Sequence, residues 1–345
     1  MTFRVCVLQP SYEGSVVDYR KYDRARDLGP LLPESHVEHV FLRKATVFHQ
    51  LREQRRRGFD VFVNLCEGDL DWDIPSVDVI HALDRLELPY TGPTAKLYDP
   101  TKDLMKAVAR HAGVAVPESV LARSAEDIGR AANTLRFPLF VKRNHGGESL
   151  GIDEDSICAD TVQLARRAQA MIEEYDEAII DEYIGGREFS VLVCGSSDPG
   201  GEPVALRPVE FVFPPGVRFK TYLLKAASYL PDSNVPVTDA ALDRQLRAAG
   251  LAVFRGFDGV GYCRMDFRLG GDGIVRLIDV NFTCSVFYAE GSYGTADYIL
   301  AHDGLGQAAF LRCIIDEGIA RHRRSHASAV LTGAGRNGSR TPQSP

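Results

Sequence analysis

The segment from Gly261 to Cys284 reads GYCRMDFRLGGDGIVRLIDVNFTC and has the pattern of a β-hairpin. Two runs of alternating side chains flank a Gly-Gly-Asp-Gly turn at residues 270–273, where several residues tolerate a positive φ. Since successive side chains of a strand point to opposite faces, the first run has one apolar row: Cys263, Met265, Phe267 and Leu269. The opposite row is polar and consists of Tyr262, Arg264, Asp266 and Arg268.

The acidic residues of the hairpin define a candidate metal site. If Leu269 pairs with Ile274 across the turn, Asp266 and Asp279 become diagonal neighbours about 7–8 Å apart at the backbone. In this register one face of the return strand is shared by four residues: Val275, Leu277, Asp279 and Asn281.

Asp266, Asp279 and Asn281 offer two carboxylates and one amide oxygen. An oxygen set without Cys or His suits a hard cation, with Mg²⁺ as the first choice and Mn²⁺ as the alternative. The residues leave open whether one or two ions bind. A different interpretation pairs Asp266 and Asp279 with Arg264 and Arg268 on a solvated sheet face, where ion pairs add little stability.

The composition narrows the class of protein. A chain of 345 residues with 45% apolar content is long enough for two or three domains. A net charge of −7 without a Lys/Arg stripe argues against a nucleic-acid partner. We also expect no membrane partner and a cytoplasmic location, because no apolar run approaches the roughly 20 residues of a membrane span and no signal peptide is evident. Seven scattered cysteines without a CxxC pair fit a reducing compartment.

Alternating strand and helix patterns predict three α/β units and a tail. The predicted boundaries are residues 1–95, 96–185 and 186–325, with a disordered tail at 326–345 that lacks periodicity and apolar mass. The first unit carries an acidic loop around Trp72, formed by Glu67, Asp69, Asp71 and Asp73. This loop is predicted to be either a solvated charge run or a surface for a cationic group.

The second unit contains a candidate phosphate-binding element. A predicted strand, Phe137–Arg143, carries Lys142 into the loop Asn144–Gly151, which reads NHGGESLG. The N–H groups of a glycine-rich loop can fold around phosphate oxygens.

The order of these pieces resembles the ATP-grasp superfamily and, within it, the D-alanine–D-alanine ligase-like branch. The resemblance covers roughly residues 1–320 and is carried by the Leu-Pro-Tyr-Thr-Gly junction at 88–92, Lys102, Lys142, IIDEYIGGREFSV at 179–191, FKTYLLK at 219–225, and the hairpin segments 261–267 and 277–281. It implies a mixed α/β, three-domain ATP-grasp architecture that holds the nucleotide between the central and C-terminal domains.

The resemblance also implies roles for individual residues. It assigns ATP to Lys102, Lys142, Asp181, Glu182, Ile184 and Glu188, with the two lysines on the phosphates and Glu188 on the ribose. It assigns the metal to Asp266, Asp279 and Asn281. It places four residues at the reaction centre: Ser149 in the lid, Tyr222, Lys225 and Arg264, whose forked guanidinium would stabilise a tetrahedral oxyanion.

Several residues depart from the family pattern. Asp279 stands where the family usually has Glu, and Glu148 replaces one of two lid serines. The loop at 66–73 replaces a His-Gly segment, and residues 282–291 replace the segment that holds the second D-alanine carboxylate. The resulting substrate candidates are Glu13, Glu67, Glu290 and Gly291. The added acids favour a substrate that bears positive charge or lacks a free carboxylate at the acceptor end.

The predicted function is therefore an ATP- and Mg²⁺-dependent ligase that joins a small-molecule carboxylate to an amine through an acyl phosphate, releasing ADP. We expect it not to make D-alanyl-D-alanine and to act in specialised metabolite biosynthesis. Two alternatives remain, an ATP-binding regulatory or scaffold protein with reduced catalysis and a kinase without an amine acceptor. A homodimer is left open.

Overall fold

The computed structural model describes residues 2–16, 20, 23–147, 151–219 and 233–334, with side chains described as far as residue 327. Its strands form three sheets that follow one another along the chain. The fold is mixed α/β, as predicted, and the predicted site lies between the second and third sheets.

The first sheet is parallel, with strand order β2-β1-β3. It comprises β1 (Arg4–Pro10), β2 (His36–Leu42) and β3 (Val61–Asn64), with α1 (Val47–Arg55) and α2 (Val77–Arg85) in the same unit. The four residues of β3 are all buried, as expected for a strand covered on both faces.

The second sheet is antiparallel, with strand order β4-β7-β5-β6. It comprises β4 (Ser119–Ala122), β5 (Leu139–Lys142), β6 (Ile157–Cys158) and β7 (Ala178–Glu182). Two helices, α4 (Ala125–Thr134) and α5 (Thr161–Tyr175), contribute Ile128, Leu164 and Met171 to its core.

The third sheet contains the hairpin and has the order β11-β10-β8-β12-β13, with β9 paired to β8. Its strands are β8 (Arg187–Cys194), β9 (Val204–Ala205), β10 (Val209–Phe211), β11 (Asn234–Pro236), β12 (Tyr262–Leu269) and β13 (Val275–Asn281). Its core includes the predicted apolar row, since Cys263, Met265 and Phe267 are fully buried and Leu269 packs against them.

Helix α3 (Lys102–His111) packs away from the unit to which the sequence assigned it. Met105 and Ala109 belong to the core of the third sheet, where α3 contacts β13 and α6 (Ala240–Gly256). The same core includes Leu97, so the chain between the first two sheets reaches across to the third before β4 begins.

The C-terminal helices connect the third sheet back to the first. Helix α7 (Thr295–Asp303) and helix α8 (Gly306–Ala334) place Ile299, Phe310 and Ile314 in one core with Val5 and Val61. Helix α8 continues to Ala334, so the prediction of a disordered tail from residue 326 is wrong over 326–334. The rest of that predicted tail, 335–345, lies outside the described residues.

Across the described ranges, none of the helices combines the length and the apolar character that crossing a bilayer requires.

Candidate active site

A β-bulge sets the geometry of the hairpin. Asp266 pairs with Asp279 and Phe267 pairs with Leu277, so Ile278 is an extra residue on the return strand. Two residues on one strand then oppose one on the other, which defines a bulge and resets the alternation of side chains.

The predicted register is wrong already at the turn, where Leu269 pairs with Val275 rather than with Ile274, and the bulge shifts the pairing by one further residue. The aspartates are affected in two ways. Asp266 lies directly opposite Asp279 rather than diagonal to it. After the bulge, Val280 joins Val275 and Leu277 in the apolar core, so Asp279 and Asn281 lie on the opposite face from those residues. The shifted turn pairing and the bulge together bring the two carboxylates closer than the predicted register would, because directly opposed residues have Cβ atoms about 4.5–5.5 Å apart.

The two carboxylates differ in their hydrogen bonds. Asp266 Oδ1 accepts from Ser190 Oγ at 2.6 Å and from Arg264 Nε at 3.3 Å. Asp279 Oδ1 is buried and accepts no hydrogen bond from any described residue, although Lys102 Nζ lies 3.7 Å away. A buried carboxylate oxygen without a hydrogen bond is costly unless a cation reaches it.

Asn281 completes the oxygen set beside these carboxylates. Its Oδ1 accepts from Thr283 N at 2.8 Å and from Thr283 Oγ1 at 3.2 Å, which fixes the amide. The described residues contain no cluster of three or more His, Cys, Asp or Glu side chains suited to a metal. The oxygen set of the hairpin has only two such side chains, Asp266 and Asp279, and its third ligand would be the amide oxygen of Asn281. Together with the unsatisfied Asp279 oxygen, the set fits a hard cation such as Mg²⁺.

The alternative ion pairing is present only in part. Arg264 contacts Asp266, but Arg268 pairs with Glu188 rather than with either aspartate. The polar face of the hairpin borders a cavity lined by Asp266, Arg268 and Asp279, so it is not a solvated sheet face.

Asp181 lies between two lysines at the back of this cavity. Lys106 Nζ is 3.0 Å from Asp181 Oδ1, and Lys142 Nζ is 3.2 Å from Asp181 Oδ2. Burial acts to raise the pKa of Asp181, but the charges of Lys106 and Lys142 hold it below its ordinary value. Asp181 is therefore a fixed anion that positions Lys142 in the cavity.

Lys106 is a site residue that the sequence interpretation missed. It lies behind Asp181 and is 4% exposed, whereas Lys102 and Lys142 line the cavity. Burial lowers the pKa of Lys106 to about 8. The charge of Asp181 opposes this shift, and the charge of Lys142 adds to it. Its position four residues after Lys102 on α3 was the available signal, because residues at i and i+4 share a helix face.

The start of α3 holds Lys102 against the glycine-rich loop. Thr101 Oγ1 caps the helix by accepting from Leu104 N at 3.4 Å, which places Lys102 in the first turn. Lys102 Nζ then donates to Gly146 O at 2.8 Å. Gly146 has φ +78°, and a Cβ there would lie 2.8 Å from Asp69 Oδ2, so this close approach requires glycine.

The predicted hinge residues line the cavity, but their side chains are engaged by arginines. Arg136 Nη2 donates to Glu182 Oε2 at 2.8 Å, and Arg268 Nη2 donates to Glu188 Oε2 at 2.8 Å. Ile184 contributes its carbonyl oxygen, which accepts from Arg268 Nη1 at 2.9 Å. Arg268 alternates with Arg264 and Asp266 on the polar row of β12, which is the signal that could have identified it.

The residues predicted at the reaction centre are only partly described. Arg264 lies partly buried beside Asp266, with 14% of its side chain exposed, and lines neither the main cavity nor its neighbour. Burial acts to lower the pKa of Arg264, but the charge of Asp266 raises it above its ordinary value, so the guanidinium stays charged. Ser149, Tyr222 and Lys225, together with Glu148, lie outside the described residues.

A second, smaller cavity adjoins the metal residues and is bordered by the first unit. It is lined by Glu67, Asp69, Asp99, Lys102, Asp279, Asn281 and Thr283, among others. Glu67 is held there because Ser285 Oγ donates to its Oε2 at 2.7 Å and Arg26 Nη1 donates to its Oε1 at 3.3 Å. Glu67 therefore has a fixed position next to the predicted metal site.

The other carboxylates of the acidic loop contact residues of the same chain. Arg143 lies 2.9 Å from Asp71 Oδ2 and 3.7 Å from Asp69 Oδ2. Asp73 accepts hydrogen bonds from Ser15 Oγ and Val16 N. Asp71 and Asp73 are exposed and fit the predicted solvated charge run, whereas the side chain of Asp69 is buried beside Arg143.

The other predicted substrate residues lie outside both cavities. Glu290 and Gly291 are exposed, and Glu13 is exposed and paired with Arg43. The cysteines nearest the site are unsuited to nucleophilic roles, because burial raises the pKa of Cys284 to about 12 and that of Cys66 well above its ordinary value.

Residues 107–288 match the family model described as D-ala D-ala ligase C-terminus, which is more than half of the chain. A D-alanine–D-alanine ligase of Chlorobaculum tepidum is 32% identical over 213 residues, covering 58% of this chain and 55% of that protein. One from Bordetella avium is 29% identical, covering 58% of this chain and 62% of that protein. The chain thus spans less than two thirds of the length of these ligases.

An uncharacterized protein of Sinorhizobium fredii, y4sG, is 29% identical over 279 residues, which cover 78% of this chain and 76% of that protein. Among solved structures, the D-alanine–D-alanine ligase from Coxiella burnetii superposes with a TM-score of 0.72 at 16% identity, covering 96% of this chain and 99% of that one. The Bacillus anthracis ligase complexed with ATP gives a TM-score of 0.66 at 17% identity, covering 94% and 99%. At these identities the structural likeness establishes the fold.

Proposed function

The chain belongs to the D-alanine–D-alanine ligase-like family of ATP-grasp ligases, and from that premise we propose that it joins a carboxylate to an amine and releases ADP and phosphate. The observation that carries the proposal is one cavity, between the second and third sheets, where Lys102 and Lys142 face Asp266 and Asp279. Ammonium groups beside carboxylates that could hold a metal ion are what the transfer of a phosphoryl group requires.

The proposed reaction has two steps. A substrate carboxylate oxygen attacks the γ-phosphorus of ATP, and the bond from that phosphorus to the ADP oxygen breaks. An amine nitrogen then attacks the acyl carbon of the resulting acyl phosphate, the bond to phosphate breaks, and the nitrogen loses a proton. Negative charge develops on the transferring phosphoryl oxygens in the first step and on the acyl oxygen in the second.

The chain's own groups would act on that charge. Lys102 and Lys142 would bind phosphate oxygens, with Lys142 oriented by Asp181. Asp266, Asp279 and Asn281 would hold Mg²⁺, which when bound supplies positive charge beside the phosphates. The oxyanion role of Arg264 stays a prediction, because its guanidinium is bonded to Asp266 in this structure.

The first test is the identity of the products. With Mg-ATP and a suitable carboxylate, we expect ADP and phosphate to form, and added hydroxylamine should capture the acyl phosphate as a hydroxamate. Mass spectrometry of the nucleotide and of the hydroxamate measures both. AMP and pyrophosphate would instead indicate an adenylate route and contradict the proposal, whereas ADP formation that never requires an amine would favour the kinase alternative.

We further propose that the substrates are not two D-alanines and that the amine partner bears positive charge. Support comes from Glu67, a carboxylate fixed beside the predicted metal site in the smaller cavity. Asp99 borders the same cavity, and burial raises its pKa against the attraction of Lys102. Glu67 is thus the better candidate for an ammonium partner than the exposed Glu290.

Glu67→Gln is expected to raise KM for the amine about tenfold while leaving KM for ATP unchanged, since one charge-assisted contact is lost. Glutamine keeps the shape and can still accept from Ser285. Glu290→Ser is the comparison variant, because the sequence predicts that it weakens the acceptor whereas the structure places it outside both cavities. Steady-state kinetics against a panel of amines measure each KM, and efficient D-alanyl-D-alanine synthesis by the unmodified protein would refute this substrate proposal.

A further inference from the structure

Arg268 is a buried arginine that lines the main cavity. It lies on β12 with 5% of its side chain exposed. Arginine is almost never fully buried without partners, because removing its charge from water is costly. The partners that offset this cost show what the side chain holds in place.

The guanidinium uses all five of its N–H groups on protein acceptors. Nε and Nη2 donate to Glu188 Oε2 at 3.1 and 2.8 Å, and Nη2 also donates to Arg218 O at 2.8 Å. Nη1 donates to Tyr183 Oη at 3.1 Å and to Ile184 O at 2.9 Å. No donor is left over for a ligand, so Arg268 acts through its partners.

These partners come from three separate parts of the chain. Glu188 is the second residue of β8, Tyr183 and Ile184 form the hinge between the second and third sheets, and Arg218 lies in the segment that follows β10. Tyr183 Oη itself donates to Arg218 O at 3.0 Å. The hinge is therefore linked to that segment both directly and through Arg268.

The same contacts fix an aromatic wall of the cavity. Phe219, the residue after Arg218, packs edge-on against Phe140 of β5 with ring centroids 5.4 Å apart. Phe140 in turn stacks on Tyr183 at 6.2 Å. Phe140, Tyr183, Phe219 and Arg268 all line the cavity.

We propose that Arg268 is a positioning residue that preforms the base and ribose end of the nucleotide pocket by fixing Glu188, the hinge at 183–184 and the Phe219 wall. The inference rests on the proposed function, because it takes the nucleotide to bind in this cavity. The phosphates would lie on Lys102 and Lys142, whereas the hydrogen-bond partners of Arg268 are Glu188, Tyr183, Ile184 and Arg218.

If Arg268 positions only the base and ribose end of the pocket, replacing it should weaken the binding of ATP much more than the binding of phosphates alone. Arg268→Met should weaken ATP binding about ten- to hundredfold, since several charge-assisted hydrogen bonds are lost. Inhibition by inorganic tripolyphosphate, which has no base or ribose, should change less than threefold. Once ATP is bound, kcat should stay within a fewfold of the unmodified value, so the loss is in KM.

Two further variants guard against a simple failure to fold. Arg268→Met combined with Glu188→Gln removes both buried charges and should restore thermal stability without restoring ATP affinity. Tyr183→Phe keeps the aromatic contact but deletes one acceptor of Arg268 and one donor to Arg218, and should weaken ATP severalfold.

Calorimetric titration with ATP and with tripolyphosphate measures the separation directly. Equal weakening of both ligands, or unchanged ATP affinity in Arg268→Met, would overturn the positioning role while ATP binding by the unmodified protein upholds the proposed function. If the unmodified protein binds no ATP, the proposed function is lost and this inference with it.

Discussion

Asp279→Ala is expected to reduce kcat by about a hundredfold or more, the scale seen when a group that stabilises transition-state charge is removed. Asp279 has a buried oxygen without a hydrogen bond from any described residue and lies directly opposite Asp266. The substitution leaves the apolar row of the hairpin intact, so the fold should be retained. Turnover is measured as ADP release, and metal binding is measured separately from the Mn²⁺ resonance signal.

Asp272→Ala is the matched control for this variant. Asp272 belongs to the same hairpin but lies in its turn, where it pairs with Arg276 at 2.6 Å and does not line the cavity. Its loss should leave turnover and Mn²⁺ binding unchanged. Wild-type turnover in Asp279→Ala would remove the proposed metal site, and Asp279→Glu tests whether the shorter side chain is adapted to this cleft.

The hairpin with the predicted metal site shows which features of the structure the sequence could predict and which it could not. Alternation alone identified the buried row of β12, because its apolar residues recur at every second position. Alternation could not identify the bulge at Ile278, since a single extra residue leaves no mark in composition and both faces of β13 carry apolar side chains. The missed bulge and the one-residue error in the turn pairing explain why the two aspartates were predicted correctly as neighbours and incorrectly as diagonal ones.

The residues that the sequence interpretation missed share a physical reason. Lys106 and Arg268 are charged side chains that would be assigned to the surface, and only the fold reveals the carboxylates that compensate them, Asp181 and Glu188. These partners lie 75 and 80 residues away along the chain, so no local pattern indicates them. Conversely, Glu290 was predicted from a motif departure, and the structure leaves it exposed.

The C-terminal end of helix α8 was predicted incorrectly for a different reason. Beyond Arg323 the sequence has neither apolar periodicity nor a helix-stopping residue before Gly333, and the prediction of disorder rests on the missing periodicity and apolar mass. The structure continues the helix to Ala334. A helix that has already begun adds residues at low cost, so weak periodicity at its end does not stop it.

Lys142→Met is expected to reduce kcat/KM for ATP by two to three orders of magnitude, or about 3–4 kcal/mol, since a preorganised charge on the transferring phosphate is lost. Lys142 lines the cavity, 3.2 Å from Asp181. Methionine keeps much of the apolar stem, so packing against the sheet should persist. Steady-state kinetics with varied ATP measure the effect, and a loss below threefold would contradict the role of Lys142 on the phosphates.

Lys106→Met tests whether turnover depends on any lysine that pairs with Asp181 or only on Lys142, which also lines the cavity. Lys106 contacts the same aspartate but lies outside the cavity lining, and the variant leaves Asp181 paired with Lys142, so turnover should be retained.

The effect of Lys106→Met should fall on stability. Since the folded pKa of Lys106 is lowered to about 8 from 10.5, the unfolded chain binds more protons between those values and the unmodified protein should gain stability as pH rises through them. Lys106→Met should abolish that gain, which denaturant unfolding at pH 7.5 and pH 9.5 measures. Persistence of the full gain in the variant would place its origin in another group, and a turnover loss as large as that of Lys142→Met would show that the two lysines act as one unit.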